Sequence, residues 1–339
     1  MTNNNIIGTH DGKFHCDEVF GCVLLKTLPE FQSASIVRTR DPEILKQCKL
    51  ILDVGGVYDP SKLRFDHHQR EFNETMKTLK TLDFDTKLSS AGLIYHFFGK
   101  RVLANLLHLD LNTHYEIINK LYAKLYEDFV HAVDAIDNGI SQYDGTPRYK
   151  LSSTLNSRVN DLNPAWNESD VSPDIQFQKA MKVVEEEFFA KVKYAYHSWL
   201  PALEIIDKAV EKRFENHPSG KVLVLADGGS PWKEHFFNIE AEKSLQGENI
   251  SYVCYPDNNK SWRIQAIPVD AFSAFSNRCP LPETWRGYRD KELSDIAGIE
   301  GCIFVHSSGF IGGHQTKEGV LKMADKALTM LGKWKAPEA

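Results

Sequence analysis

Along the first half of the chain, short apolar runs alternate with segments whose apolar residues recur at helical spacing. NIIGTH, ASIVRT and LILDVGG read as buried strands, while DEVFGCVLLKTL and DPEILKQC between them read as helices. Asp17 and Glu18 fall where a helix N-terminus favours acids, and Asp41 caps the second helix with Pro42 in its first turn. Strand and helix by turns predict a doubly wound, mainly parallel sheet with helices on both faces. Two longer helices follow, SSAGLIYHFFGKRVLANLL with Ser89 or Ser90 as cap, and one through HYEIINKLYAKLYEDFVHAVDAIDNG that stops at Gly139. Residues 176 to about 215 keep helical spacing with an interruption at Pro201, and then the texture changes to strands: KVLVLAD, ISYVCYP, WRIQAIPV and a final GCIFVH before a closing helix. The pattern predicts an α/β domain over 1–175, a helical connector over 176–217 and a smaller α/β domain over 218–339.

At 339 residues the chain exceeds the size at which one core usually keeps growing, which agrees with two domains. A formal net charge of −6 argues against a nucleic-acid coat protein, yet allows an enzyme that meets phosphates through metals in one cleft. Cysteines at 16, 22, 48, 254, 279 and 302 form no CxxC pair, so free thiols in a reducing compartment are expected, with Cys16 a packed thiol. There is no apolar run of membrane-spanning length, and MTNNNIIGTH has neither a signal core nor an Arg-rich presequence. These features predict a cytoplasmic or nuclear protein with no membrane partner.

RFDHHQREF sets Asp66, His67 and His68 side by side after an apolar run. Successive side chains of a strand point to opposite faces, so the three converge only if the backbone turns. Taken alone, the pair of histidines is accounted for by a polar surface loop. Other groups stand at matching places: His10, His15 and Asp17 follow the first strand, and Asp53 follows the third. Asp134 and Asp137 lie three apart, on neighbouring parts of one helix face. In doubly wound folds the active crevice lies outside the carboxyl ends of the strands, where these segments would meet.

The order GTHDGKFHCDE, ILDVGG, FDHHQ and VDAIDNG resembles the four-motif pattern of the DHH phosphoesterases. Over nearly the whole chain, SSGFIGGHQTKEGV included, the phrasing is similar to the melanocyte proliferating gene-one exonuclease family. The resemblance implies two divalent cations, Mn²⁺ or Mg²⁺, with His10 and His15 on one, Asp53 bridging, and Asp17 and His67 on the other. Asp137, or its competitor Asp134, would add a carboxylate to the second ion. His68 would sit behind the ligands or touch the scissile phosphate, and Asp66 would orient its neighbours. Such a centre activates water and clamps the attacking and leaving oxygens of an in-line displacement. Relatives usually carry Asp where His15 stands, which would leave three carboxylates here and favour Mn²⁺.

In the C-terminal domain, Gly309, Gly312 and Gly313 read as a turn that approaches an anion, with His314, Thr316 and Lys317 as donors. Arg263 either binds phosphate from a strand edge or faces solvent. RCPLPETWRGYRD is either a stacking surface for single-stranded nucleic acid or a loop with Trp285 packed inward. The resemblance implies a 3′-to-5′ exoribonuclease acting on single-stranded RNA or a short oligonucleotide, in nucleus and mitochondria, possible as an oligomer. The alternatives are a small-molecule phosphatase or pyrophosphatase, and a non-catalytic metal- or nucleotide-binding regulator.

Overall fold

The computed structural model describes residues 5–273 and 276–335, so the first four residues of MTNNNIIGTH lie outside it. The described chain divides into two compact units, Met1–Tyr196 and His197–Ala339, each with a five-stranded sheet. Among the described residues no helix is long and apolar enough to cross a membrane.

In the first unit, β1 (Ile6–Thr9) is flanked in parallel by β2 (Ser35–Arg38) and β3 (Leu50–Leu52). Then β5 (Arg64–Phe65) adds in parallel to β3, and β4 (Tyr58–Asp59) closes the edge antiparallel. The order β2-β1-β3-β5-β4 makes the chain leave β1 to one side for β2 and return on the other for β3. That reversal is a topological switch point, where an open α/β sheet presents its crevice. Beside it the helix Cys16–Lys26 is buried along almost its whole length, Asp17 and Glu18 included, and packs on the helices Ser90–Leu107 and Pro173–Tyr194. Gly21 allows the fit, since a Cβ there would meet Leu52 Cδ1 at 2.4 Å.

Two expected helices are more broken than their periodicity suggests. The helix Tyr115–Leu125 passes through a widened π turn, Tyr126–Val130, before resuming as His131–Asp137, and Gly139 ends it with φ +69°. The second, expected to be interrupted at Pro201, is interrupted directly before it, passing from Pro173–Tyr194 through a π turn at Ala195–Trp199 into Leu200–Glu211. Pro201 follows that π turn, a widened turn of the kind that accommodates a residue with no N–H to donate. The stretch read as a connector divides between the two units.

In the second unit the sheet runs β6 (Val222–Val224), β7 (Tyr252–Pro256), β8 (Trp262–Ala266), β10 (Ile311–His314), β9 (Cys302–Val305), parallel only between β6 and β7. Alternate residues serve opposite cores: Val222, Val224, Tyr252 and Cys254 join Val320 and Met323, while Leu223 and Val253 join Ile206 and Phe236. The expectation of a glycine-rich turn at 312–313 fails here, because both glycines are mid-strand in β10 and only Gly309 turns, with φ +72°. Bare backbone is needed for packing. A Cβ on Gly312 would stand 2.9 Å from Leu281 Cδ1, and one on Gly313 2.6 Å from Arg263 Nη1.

Candidate metal centre

β3 ends at Leu52 because Asp53 takes the left-handed conformation, φ +57°, which a short polar side chain tolerates better than most. The carboxylate is buried, with one oxygen toward each of two histidines: Oδ2 is 3.3 Å from His10 Nε2, and Oδ1 is 3.3 Å from His67 Nε2. His10 follows β1 and sets its ring by Nδ1, 2.8 Å from the Asp11 carbonyl, so that Nε2 faces the carboxylates. His67 follows β5, with Nε2 3.3 Å from Asp137 Oδ2 and 3.9 Å from Asp17 Oδ2. His15 caps the Cys16–Lys26 helix and falls within ligand reach of both groups, one holding His10, Glu18 and Asp53, the other Asp17 and Asp137.

Asp66 makes the backbone turn that the three neighbouring residues require. Its Oδ2 accepts from Gly56 N at 2.6 Å, and its Oδ1 accepts from His68 N at 3.1 Å and lies 2.8 Å from His68 Nδ1. His67 is thereby turned inward and buried, while the His68 side chain stays 62 % exposed at the rim.

Asp134 and Asp137 part company. Asp137 joins the cluster, whereas Asp134 is fully buried under the N-terminus of the Ser90–Leu107 helix. Its Oδ1 accepts from Ser89 N at 3.0 Å and Ser89 Oγ at 2.7 Å, and its Oδ2 from Tyr126 OH at 2.9 Å. Gly92 makes room, since a Cβ there would meet the carboxylate at 2.3 Å. Asp134 therefore anchors a helix end, and Ser90 next along carries the effect to the centre. Its hydroxyl is shared between Asp53 Oδ1 at 3.1 Å and the Phe65 carbonyl at 3.0 Å, and its N–H points at Asp17 Oδ2 from 3.3 Å.

Glu18 was read as a first-turn acid and belongs to the cluster. Both its oxygens accept from His15 N at 2.9 Å, and Oε1 also lies 2.9 Å from His10 Nε2. The H-x-x-E spacing, with an N-cap residue three before a glutamate, is the sequence signal that could have found it. With Glu18 the cluster holds four carboxylates rather than three.

Electrostatics without ions is unfavourable. Burial, then the charges of Asp53 and Asp137, push the Asp17 carboxyl well up; burial likewise raises Asp137. Burial opposes ionisation of Asp53 too, but the close approach of His10 and His67 outweighs it and holds that carboxyl down. For His10 burial works against charging, yet Asp53 and Glu18 raise it to about 10, and His67 is raised for similar reasons. Asp17 Oδ1 and both ring nitrogens of His67 are buried without a hydrogen-bond partner. Orphaned donors and acceptors at this depth are costly, and a mixed carboxylate and imidazole set suits a divalent cation, a transition ion more than Mg²⁺. The residues fit divalent cations.

The groups expected to bind substrate in the second unit are more fully engaged. His314 is buried at the end of β10, with Nε2 2.8 Å from the Glu300 carbonyl and Nδ1 accepting from Thr316 N at 3.0 Å, so it braces backbone rather than reaching out from a loop. Arg263 pairs with Asp257 and lies over the Phe304 ring. Lys317 opens the helix Lys317–Met330, its ammonium 5.9 Å from the Trp262 ring centroid. Trp285 is core, and Arg278 holds Glu240 through both terminal nitrogens at 2.5 and 2.7 Å, so RCPLPETWRGYRD is mainly structural. Cys16 is a buried thiol pushed up by burial.

The profile of the uncharacterised protein family UPF0160 matches residues 6–328. A MYG1 protein of Caenorhabditis elegans is 54 % identical over 325 residues, covering 96 % of this chain and 95 % of its own. The MYG1 exonuclease of Homo sapiens is 51 % identical over 324 residues, covering 95 % and 85 %, and a MYG1 protein of Schizosaccharomyces pombe is 44 % identical over 334, covering 97 % and 98 %. A solved structure described as the DHH domain of a member of the S1p family of ribosomal proteins overlaps 98 % of this chain and 87 % of its own, at 14 % identity and a TM-score of 0.26, too loosely to argue from.

Proposed function

This chain belongs to the UPF0160 family, whose members include proteins named MYG1 exonuclease, and from that premise we propose that it is a metal-dependent phosphodiesterase, a 3′-to-5′ exonuclease of single-stranded RNA. The observation that carries the reading is Asp53, one carboxylate with an oxygen toward each of two ligand groups. His10, His15 and Asp53 would hold one divalent ion, and Asp53, Asp17, His67 and Asp137 the other, with Glu18 steadying His10 and His15. Bound there, two ions would supply Lewis acidity and a water nucleophile at neutral pH.

The protein's own groups do the rest by position. Ser90 holds Asp53 in the orientation that faces both histidines, and the N-terminus of its 18-residue helix stabilises the carboxylates. Asp66 takes the Nδ1–H of His68, which leaves Nε2 free at the exposed rim to touch a phosphate oxygen or pass a proton to the leaving oxygen. In the second unit we assign substrate grip to Lys317, with Arg263 second because Asp257 already neutralises it.

A 5′-labelled single-stranded RNA incubated with Mn²⁺ should shorten stepwise from its 3′ end, and chelation should stop it. Intact RNA beside phosphate release from mononucleotides or pyrophosphate would move the reading to a small-molecule phosphatase. Metal binding without turnover on either substrate would make the chain a regulator.

A further inference from the structure

A cavity of about 690 Å³ opens beside the cluster, within the range of roughly 300–1,000 Å³ usual for small-ligand pockets. We propose that it is a mononucleotide pocket, in which Lys13 and Arg40 take the phosphate of a nucleoside monophosphate while Pro42, Leu45 and Val54 pack against its sugar and base. The proposal rests on the phosphodiesterase reading and names the unit of substrate, and of product, that this centre accommodates.

The pocket is assembled at the carboxyl ends of β1, β2, β3 and β5, across the switch point, and shares His10, His15 and Asp53 with the cluster. With the cluster's carboxylates engaged by cations, Lys13 and Arg40 at its rim add the positive charge that would draw a phosphate into the pocket. Arg40 is fixed at the rim and, being paired with Asp11, is the weaker cation of the two. Its Nη1 bonds to the carbonyl and side chain of Asp11, its Nη2 is 3.3 Å from His10 Nδ1, and its side chain remains 60 % exposed. The loop it grips is itself fixed, since Arg38 Nη2 donates to the Gly12 carbonyl at 2.6 Å. Gly12 turns the loop with φ +91°, a conformation that suits glycine. Lys13, exposed, follows directly on the same loop. Apolar residues from the Pro42–Leu45 turn and from Val54 give the pocket a second character that bare phosphate does not need.

Isothermal titration of the full chain with Mn²⁺ present tests this, using adenosine 5′-monophosphate, inorganic phosphate and adenosine as separate probes. The monophosphate should bind more tightly than either fragment. Lys13→Ala should weaken it about tenfold and Arg40→Lys several-fold, as expected for loss of charge-assisted contacts, with adenosine binding unmoved and manganese stoichiometry kept. Val54→Ser should weaken both monophosphate and adenosine. Lys46→Ala, a lysine paired with Glu43 and not among the pocket's lining residues, should change nothing. Monophosphate binding no tighter than phosphate, or unmoved by Lys13→Ala and Arg40→Lys, overturns the pocket. A chain that binds in the predicted way but cuts no phosphodiester keeps the pocket and loses the enzymatic reading, whereas a chain that cuts while these variants bind like the parent loses the pocket alone.

Discussion

The cluster of the first unit and the buried polar groups around the second unit's last strands are engaged in opposite ways. In the second, His314 spends both ring nitrogens on backbone, Arg278 grips Glu240 with two nitrogens, and Arg263 meets Asp257. In the first, Asp17, Asp53, Asp137 and His67 are crowded together with Asp17 Oδ1 and the His67 nitrogens buried without hydrogen bonds, and Asp53 sits in a left-handed conformation. A satisfied polar group has its reason inside the fold. An unsatisfied one at the switch point of a parallel sheet is a group that the cations proposed above would engage.

The sharpest way to break that contrast is Asp53→Ala. Because one carboxylate serves both groups, activity on RNA should fall at least about 1,000-fold and bound metal should drop, with the fold intact by circular dichroism. Retained manganese in this variant would remove the shared-carboxylate assignment.

His314→Ala belongs on the other side of the comparison. Read from the sequence as a donor to substrate, it should instead cost about 2–4 kcal/mol of stability in urea denaturation, since it strips the Glu300 carbonyl and Thr316 N–H of their partner and opens a void beside Gly319. A stable variant with a raised KM for oligonucleotide would return His314 to the substrate.

Ser90→Ala should have an intermediate effect, about 10–100-fold in metal affinity, because it loosens Asp53 without removing a ligand. Ser90→Thr, which keeps the hydroxyl, should recover most of it. Unchanged affinity in Ser90→Ala would make that hydroxyl a helix-end bond to Phe65 alone.

The smallest effect is in the pH dependence of the metal-free fold. His10 has its pKa raised from 6.5 to about 10, so its contribution to stability is complete below pH 6.5 and is lost as pH climbs through about 10. Asp17 and Asp137, raised by burial, bind more protons folded than unfolded and also lose stability as pH rises; Asp53, lowered, acts only in acid. With chelator the Tm should fall by a few degrees between about pH 6.5 and pH 9, and saturating Mg²⁺ should flatten the slope. Equal slopes with and without metal would place these groups outside the metal site.

Much of this was legible because it follows local rules. Alternating strand and helix gave the mainly parallel sheet, and residues after strand ends gave His10, Asp53 and His67. What was hidden depends on distant partners. Asp134 and Asp137 look equivalent on one helix, and only the N-terminus of a helix 45 residues earlier claims Asp134. Gly312 and Gly313 resemble a loop by composition, yet a strand needs them bare so that Leu281 and Arg263 can pack. Glu18 looks like a routine helix-start acid until His10 is folded against it.

Metal stoichiometry in the two aspartate variants tests the central claim most directly. Titration with Mn²⁺ should find two ions per chain in the parent and one or none in Asp137→Ala. Asp134→Ala, which loses its bonds to Ser89 and Tyr126, should still take up two ions while unfolding at lower urea concentration. A parent chain that binds no divalent ion, or a reversal in which Asp134→Ala loses metal and Asp137→Ala keeps both ions, would contradict the account.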